Sequence, residues 1–171
     1  MAESIIYFSD NFFSAGVTEI FNGSGDKVGS LDLKSAFTSS VNVLDQDDRL
    51  AVKAHFPFFS RRWVIEDHED KAIGELRQRF SFFTRKFEYH SNQHGLYEIE
   101  SEAFSREYQI IDENGELTAE FKKISGLFEA PVYELNRFAD KLSNEELIAA
   151  IMGVYMIHKR NNSANAGGGA T

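Results

Sequence analysis

Residues 142–160 read LSNEELIAAIMGVYMIHKR, and from Leu147 to Ile157 no charged or strongly polar side chain appears. Ser143 precedes Glu146 by three residues, the capping-box spacing, and Leu142 and Leu147 stand where a hydrophobic staple needs them. His158, Lys159 and Arg160 follow, suited to the negative C-terminal end of a helix dipole. These signals predict a helix over about 143–160. Its apolar run is too short to cross a bilayer, which takes about 20 residues. A helix that is apolar on every face requires a surround of protein. The rest of the chain has to supply it.

The rest of the chain is repetitive. FFSAGV (12–17), AFTSSV (36–41), FFSRRW (58–63), FFTRKF (82–87), AFSREY (103–108) and LFEAPV (127–132) share a layout. Their second position is always Phe: Phe13, Phe37, Phe59, Phe83, Phe104 and Phe128. Their sixth is always β-branched or aromatic. Between copies lie two strand-like runs and a polar turn. Val41 and Val43 alternate before DQDD, and Leu50, Val52, Ala54 and Phe56 alternate after it. Tyr108 and Ile110 precede DENG, and Leu117, Ala119 and Phe121 follow. Period-two alternation around turn residues is the hairpin signature, and Asn114-Gly115 is the strongest turn signal of the set.

One strand before Phe13, five hairpins between the six motifs and one strand near VYEL predict twelve short strands. Such a series folds as a sandwich or a barrel. A barrel of more than about eight strands encloses space that wall side chains do not fill. A helix about 10–12 Å across fits that space. Ala149, Ala150 and Gly153 would let the wall approach closely. The expectation is a mainly β fold: a closed twelve-stranded antiparallel barrel around a buried C-terminal helix. It forms one domain over 1–160, followed by a disordered tail over 161–171.

The composition narrows the chemistry. The chain has 171 residues, sixteen phenylalanines, no cysteine and a formal charge of −9. Without cysteine there is no disulfide, thiol nucleophile or zinc–thiolate site. Net acidity disfavours general binding of nucleic acid. MAESIIYFSDNFF lacks the basic start of a secretion signal, so the expected location is cytoplasmic, with peripheral membrane contact allowed. No GxSxG, P-loop, GxGxxG or HExxH occurs, and the chain reads as non-enzymatic. DQDDR and DENGE lack the full ligand spacing of a calcium loop. EDHEDK places His68 among four carboxylates without a defined metal geometry, so neither metal nor cofactor is expected.

A twelve-stranded barrel around an apolar final helix, with FFS-type joints and DENGE-type turns, resembles the tubby C-terminal-like fold. It is most similar to the LURP-one-related family, and the short length is similar to that of its small bacterial members. The resemblance spans about residues 4–160. It implies a binding rather than a catalytic protein, since tubby proteins bind phosphoinositide headgroups through basic residues. None of those residues is matched to a position in this chain.

An up-and-down barrel puts all six Phe joints at one end and all five turns at the other. The turns carry the acids, among them Asp45, Asp47, Asp48, Asp67, Asp70 and Asp112. The joints carry Arg61, Arg62, Arg85, Lys86 and Arg106, with Lys159 and Arg160 emerging beside them. The basic rim is the candidate site for an anionic ligand such as a phospholipid headgroup. The alternative is a protein-interaction or scaffolding module without a small ligand, in which these are solvated strand-end charges. Because the repeated Phe persists where no cation accompanies it, the ring reads as a packing residue at every joint. That argues against an aromatic nucleic-acid platform.

Overall fold

The computed structural model describes residues 4–34, 40–79, 85–101, 106–124 and 132–167, with the side chain of Arg85 outside that description. The strands are β1 (Ser4–Phe8), β2 (Gly16–Asn22), β3 (Lys27–Leu33), β4 (Ser40–Asp45), β5 (Leu50–His55) and β6 (Trp63–Asp67). They continue as β7 (Ala72–Arg79), β8 (Arg85–Ser91), β9 (Gly95–Ser101), β10 (Tyr108–Asp112), β11 (Leu117–Ile124) and β12 (Val132–Arg137), and a helix, α1 (Asn144–Ala166), follows. Each strand pairs antiparallel with the next, and β12 returns to β1 in the register Ser4↔Arg137 to Phe8↔Tyr133. The barrel is closed, so no strand edge is left exposed.

Alternation decides which side chains face inward. Val41, Val43, Val52, Ala54, Trp63, Ile65, Phe87, Tyr89, Tyr108, Ile110, Ala119 and Phe121 are all buried. Leu117 breaks the expected pattern and is exposed, because a bulge between Ile110 and Ile111 shifts the register next to it.

Four of the five turns are built alike. Asn22, Asp45, Asp67 and Asp112 each accept two backbone N–H bonds on Oδ1, from the second and fourth residues after them. The third residue on, Gly25, Asp48, Asp70 or Gly115, has a positive φ between 57° and 83°. A register shift follows in each ladder. This is a longer loop with a bulge, rather than the two-residue turn that Asn114-Gly115 suggests.

Ser143 caps α1 through its Oγ, which accepts from the N–H of Glu146 at 3.1 Å. The capping box is only half formed, because the Glu146 carboxylate instead accepts the buried hydroxyl of Tyr89. Residues 146–154, 156 and 157 are buried, as an all-round apolar helix requires. The helix lies off-centre, closest to β4–β7. On that side Gly153 meets the Trp63 ring, and Trp63 Nε1 donates to the Ala149 carbonyl at 3.0 Å. Aromatic rings occupy the lumen toward the opposite wall: Phe8, Phe12, Phe13, Phe121 and Tyr133 touch one another, and Phe13 reaches Tyr155 at 4.7 Å. Small residues on one helix face and large rings across from them together fill the barrel.

The helix runs to Ala166, past the expected end at 160. Residues 161–166 are therefore helical, held by Asn161 Nδ2 donating to Gln78 Oε1 at 2.7 Å and Ser163 Oγ donating to the Lys159 carbonyl at 3.0 Å. Residues 168–171 lie outside the described residues.

Candidate functional site

The rim at the joint end is where the sequence places its cations. Of the six joint phenylalanines, Phe37, Phe83, Phe104 and Phe128 lie outside the described residues. The remaining two contradict a shared packing role. Phe13 is buried at 6% exposure, whereas Phe59 is 90% exposed and its neighbour Phe58 89%. The backbone explains the difference. After β5 the chain turns at Pro57–Ser60, with Ser60 N donating to the Pro57 carbonyl at 2.9 Å. Phe59 takes a left-handed φ of 57°, uncommon for a bulky residue. Its ring points outward against that of Phe58, with centroids 4.1 Å apart and the planes tilted by 58°.

The base of this loop is braced. Arg62 N donates to Ser60 Oγ at 3.0 Å. Arg160, from the emerging end of α1, donates to the Ser60 carbonyl at 2.8 Å and lies 4.8 Å over the Phe56 ring. Phe56 in turn meets Trp63 edge-on at 5.0 Å. The helix terminus, the loop and the wall therefore form one unit.

The five cations expected at the rim are not equivalent. Arg61 is exposed and has no ion pair among the described residues. Arg62 pairs with Glu75 at 3.2 Å, and Arg77 shares that carboxylate. Lys86 points along the outer wall, held by Glu98 and by Glu100 at 2.6 Å. Hydrogen bonds from its ammonium to Glu100 and Glu98 push its pKa up to about 12. Arg106 lies over Phe13 at 5.2 Å and Tyr155 at 6.0 Å, on the far side of the rim. For Arg85 only the backbone, at the start of β8, is described. The described cations thus split: Arg61 and Arg62 stand together, Lys86 lies on β8 opposite Arg79, and Arg106 is on the far side of the rim.

Three arginines that the joint motifs do not mark stand beside the first group. They are Arg77 and Arg79 on the exposed end of β7, and Arg160. Arg79 pairs with Glu88 at 3.0 Å. The sequence signal for the β7 pair is the alternation in ELRQR, which puts both on the outer face. Around this sector stand Arg61, Arg62, Arg77, Arg79 and Arg160, paired with only Glu75 and Glu88 among the described residues.

The opposite end carries acids with a structural task. The backbone N–H of Lys71 and that of Glu69 hold the Asp67 carboxyl below the usual carboxylate range, and the N–H of Glu116 does the same for Asp112. Lys27 bridges to Asp48 at 3.1 Å, and Lys53 to Asp70 at 2.6 Å and Glu66 at 3.2 Å. Among the described residues no three His, Asp or Glu side chains converge as metal ligands would. No described helix is long and apolar enough to cross a membrane.

A crystal structure of a protein from Arabidopsis thaliana superposes on this chain with a TM-score of 0.58 at 10% identity. It covers 94% of this chain and 91% of its own, a likeness that shows the shared fold alone. No curated protein matches the chain. The model of the LURP-one-related family matches residues 7–155, and with most of its length so covered this chain belongs to the LURP-one-related family.

Proposed function

We propose that this protein is a non-enzymatic binding module that recognises an anionic group, such as a phospholipid headgroup, at its joint rim. Its lumen is packed with α1 and aromatic rings, so recognition takes place on the outside. The observation that carries the reading is the bond from Arg160 to the Ser60 carbonyl, which draws the helix-end cation to the loop bearing Arg61 and Arg62. This site lies partly beyond the family-matched span, which stops at residue 155. Lys86 contributes least, since two carboxylates already hold it. At work the protein would sit against an anionic membrane face, attracted by a field that falls off within a Debye length.

Sedimentation with phosphatidylcholine vesicles, with and without phosphatidylserine, tests this. The wild type should bind only vesicles containing phosphatidylserine, and less at high salt. Arg61→Ser with Arg62→Ser should weaken that binding. No wild-type binding at low salt would remove the lipid reading.

A further inference from the structure

We propose that the 56–62 loop is a membrane-insertion tip. Phe58 and Phe59 enter the boundary between headgroups and acyl chains of an anionic bilayer, while Arg61, Arg62 and Arg160 engage phosphates around them. This rests on the rim reading and adds a hydrophobic contact that a free headgroup cannot supply.

The two rings are the most exposed large hydrophobic residues described, at 89% and 90%. They are adjacent and in tilted ring contact. A single exposed Phe is ordinary. Two in one turn, held outward by a left-handed backbone at Phe59 and a closing bond from Ser60 to Pro57, form a constructed projection. The loop does not reach this shape by being loose. Arg160 fixes its base from the end of a helix buried in the barrel.

The surroundings select a bilayer as the occupant. Arg61, Arg62 and Arg160 stand at the base of the tip, and Arg77 shares Glu75 with Arg62, the one carboxylate paired with this group among the described residues. An apolar point with cations at its base matches the layered chemistry of an anionic membrane. Aromatic rings settle at headgroup level, and arginines meet the negative surface. Anchoring by one shallow contact is weak, and pairing it with a basic patch makes it effective.

Vesicle binding by three proteins tests the tip: wild type, Phe58→Ser/Phe59→Ser and Arg61→Ser/Arg62→Ser. Vesicles are phosphatidylcholine with phosphatidylserine. The phenylalanine variant should bind about tenfold more weakly at fixed salt and keep the wild-type salt slope. The arginine variant should show a shallower slope. Phe59→Trp should be quenched by lipids brominated on their acyl chains, by more than the wild type, whose sole tryptophan, Trp63, is buried. Both rings are exposed, so the variants should fold, which Trp63 emission checks. A phenylalanine variant that binds like the wild type, with Phe59→Trp unquenched, overturns insertion and leaves the rim reading intact. A wild type that ignores the vesicles overturns both. If that same wild type loses a protein partner on Phe58→Ser/Phe59→Ser, the tip is a protein-docking surface instead.

Discussion

Replacing Gly153 by Ala should destabilise the barrel, against the expectation from helix propensity. In an exposed helix the change would stabilise by about 0.8–1.0 kcal/mol. Here the new Cβ would lie 2.4 Å from Cδ1 of Trp63, 2.7 Å from Nε1 and 2.8 Å from Cγ. Carbon contacts settle at about 3.5–4.0 Å, so the indole must move by about 1 Å. It has nowhere open to go, because Trp63 is fully buried and Phe56 abuts its edge. Overpacking of this kind costs about 1–3 kcal/mol. Displacing the indole also weakens its bond to the Ala149 carbonyl, and a buried N–H left unpaired costs about 1–3 kcal/mol. The net loss is about 1–5 kcal/mol. Urea unfolding measures it, and Trp63, the sole tryptophan, reports on the site directly. The midpoint should fall with little change in slope, and the native emission should shift. Placing Gly153→Ala in a Trp63→Phe background should cost less, with a coupling of at least about 0.5 kcal/mol. Equal or greater stability of the single variant, with unaltered emission, would refute the claim that Gly153 is there to admit the indole.

Further substitutions separate the other features. Phe13→Ala should cost about 3–5 kcal/mol in urea unfolding, and Phe59→Ala less than about 0.5 kcal/mol; equal losses would restore the shared packing role. Tyr89→Phe should cost about 1–3 kcal/mol because it leaves the buried Glu146 carboxylate without its donor. Glu146→Gln, which keeps an acceptor for the hydroxyl, should cost less, and the reverse order would contradict this pairing. Asp67 and Asp112 have folded pKa values below their unfolded ones. Their contribution is therefore present above the ordinary carboxylate range and lost as pH falls through the depressed folded values. Thermal midpoints followed from about pH 6 to pH 3 should fall less steeply in Asp67→Asn/Asp112→Asn. That variant installs the residue already used at Asn22, and an unchanged slope would show that these carboxylates do not link folding to pH.

The strand count and closure were legible because alternation and turn residues act over a few positions. The filling was legible because an all-apolar helix has few places to go. The loops were harder. The motif around Phe13 and that around Phe59 look alike, yet one ring is buried and the other projects. The decisive variable, the φ of Phe59, is set by how Pro57 and Ser60 close the turn, and the three letters FFS that the two motifs share do not encode that. Leu117 was misplaced because a bulge inserts a residue that a period-two count does not see. The rim cations were found by composition but not by partner. Lys86 meets Glu98 and Glu100 only through strand register. Arg160 meets Ser60 across 100 residues of chain, a contact that depends on which wall the helix leans against.

The order of the elements along the chain has a kinetic consequence. Synthesis delivers all twelve staves of the barrel before α1, and the seam joins β1 to β12 across most of the chain. Until α1 arrives, Trp63 lacks its acceptor and the lumen rings lack Tyr155. A nascent wall at that stage presents apolar faces and unpaired edges, the condition in which chains aggregate or recruit chaperones. Hairpins form in about 1–10 μs, but sealing so non-local a seam is slow. Folding should therefore be gated by the capture of α1. A chain cut before Asn144 should remain open and sticky, and a separate peptide of residues 142–166 should speed its closure. If the peptide leaves the rate unchanged, the wall closes first and the helix is added afterwards.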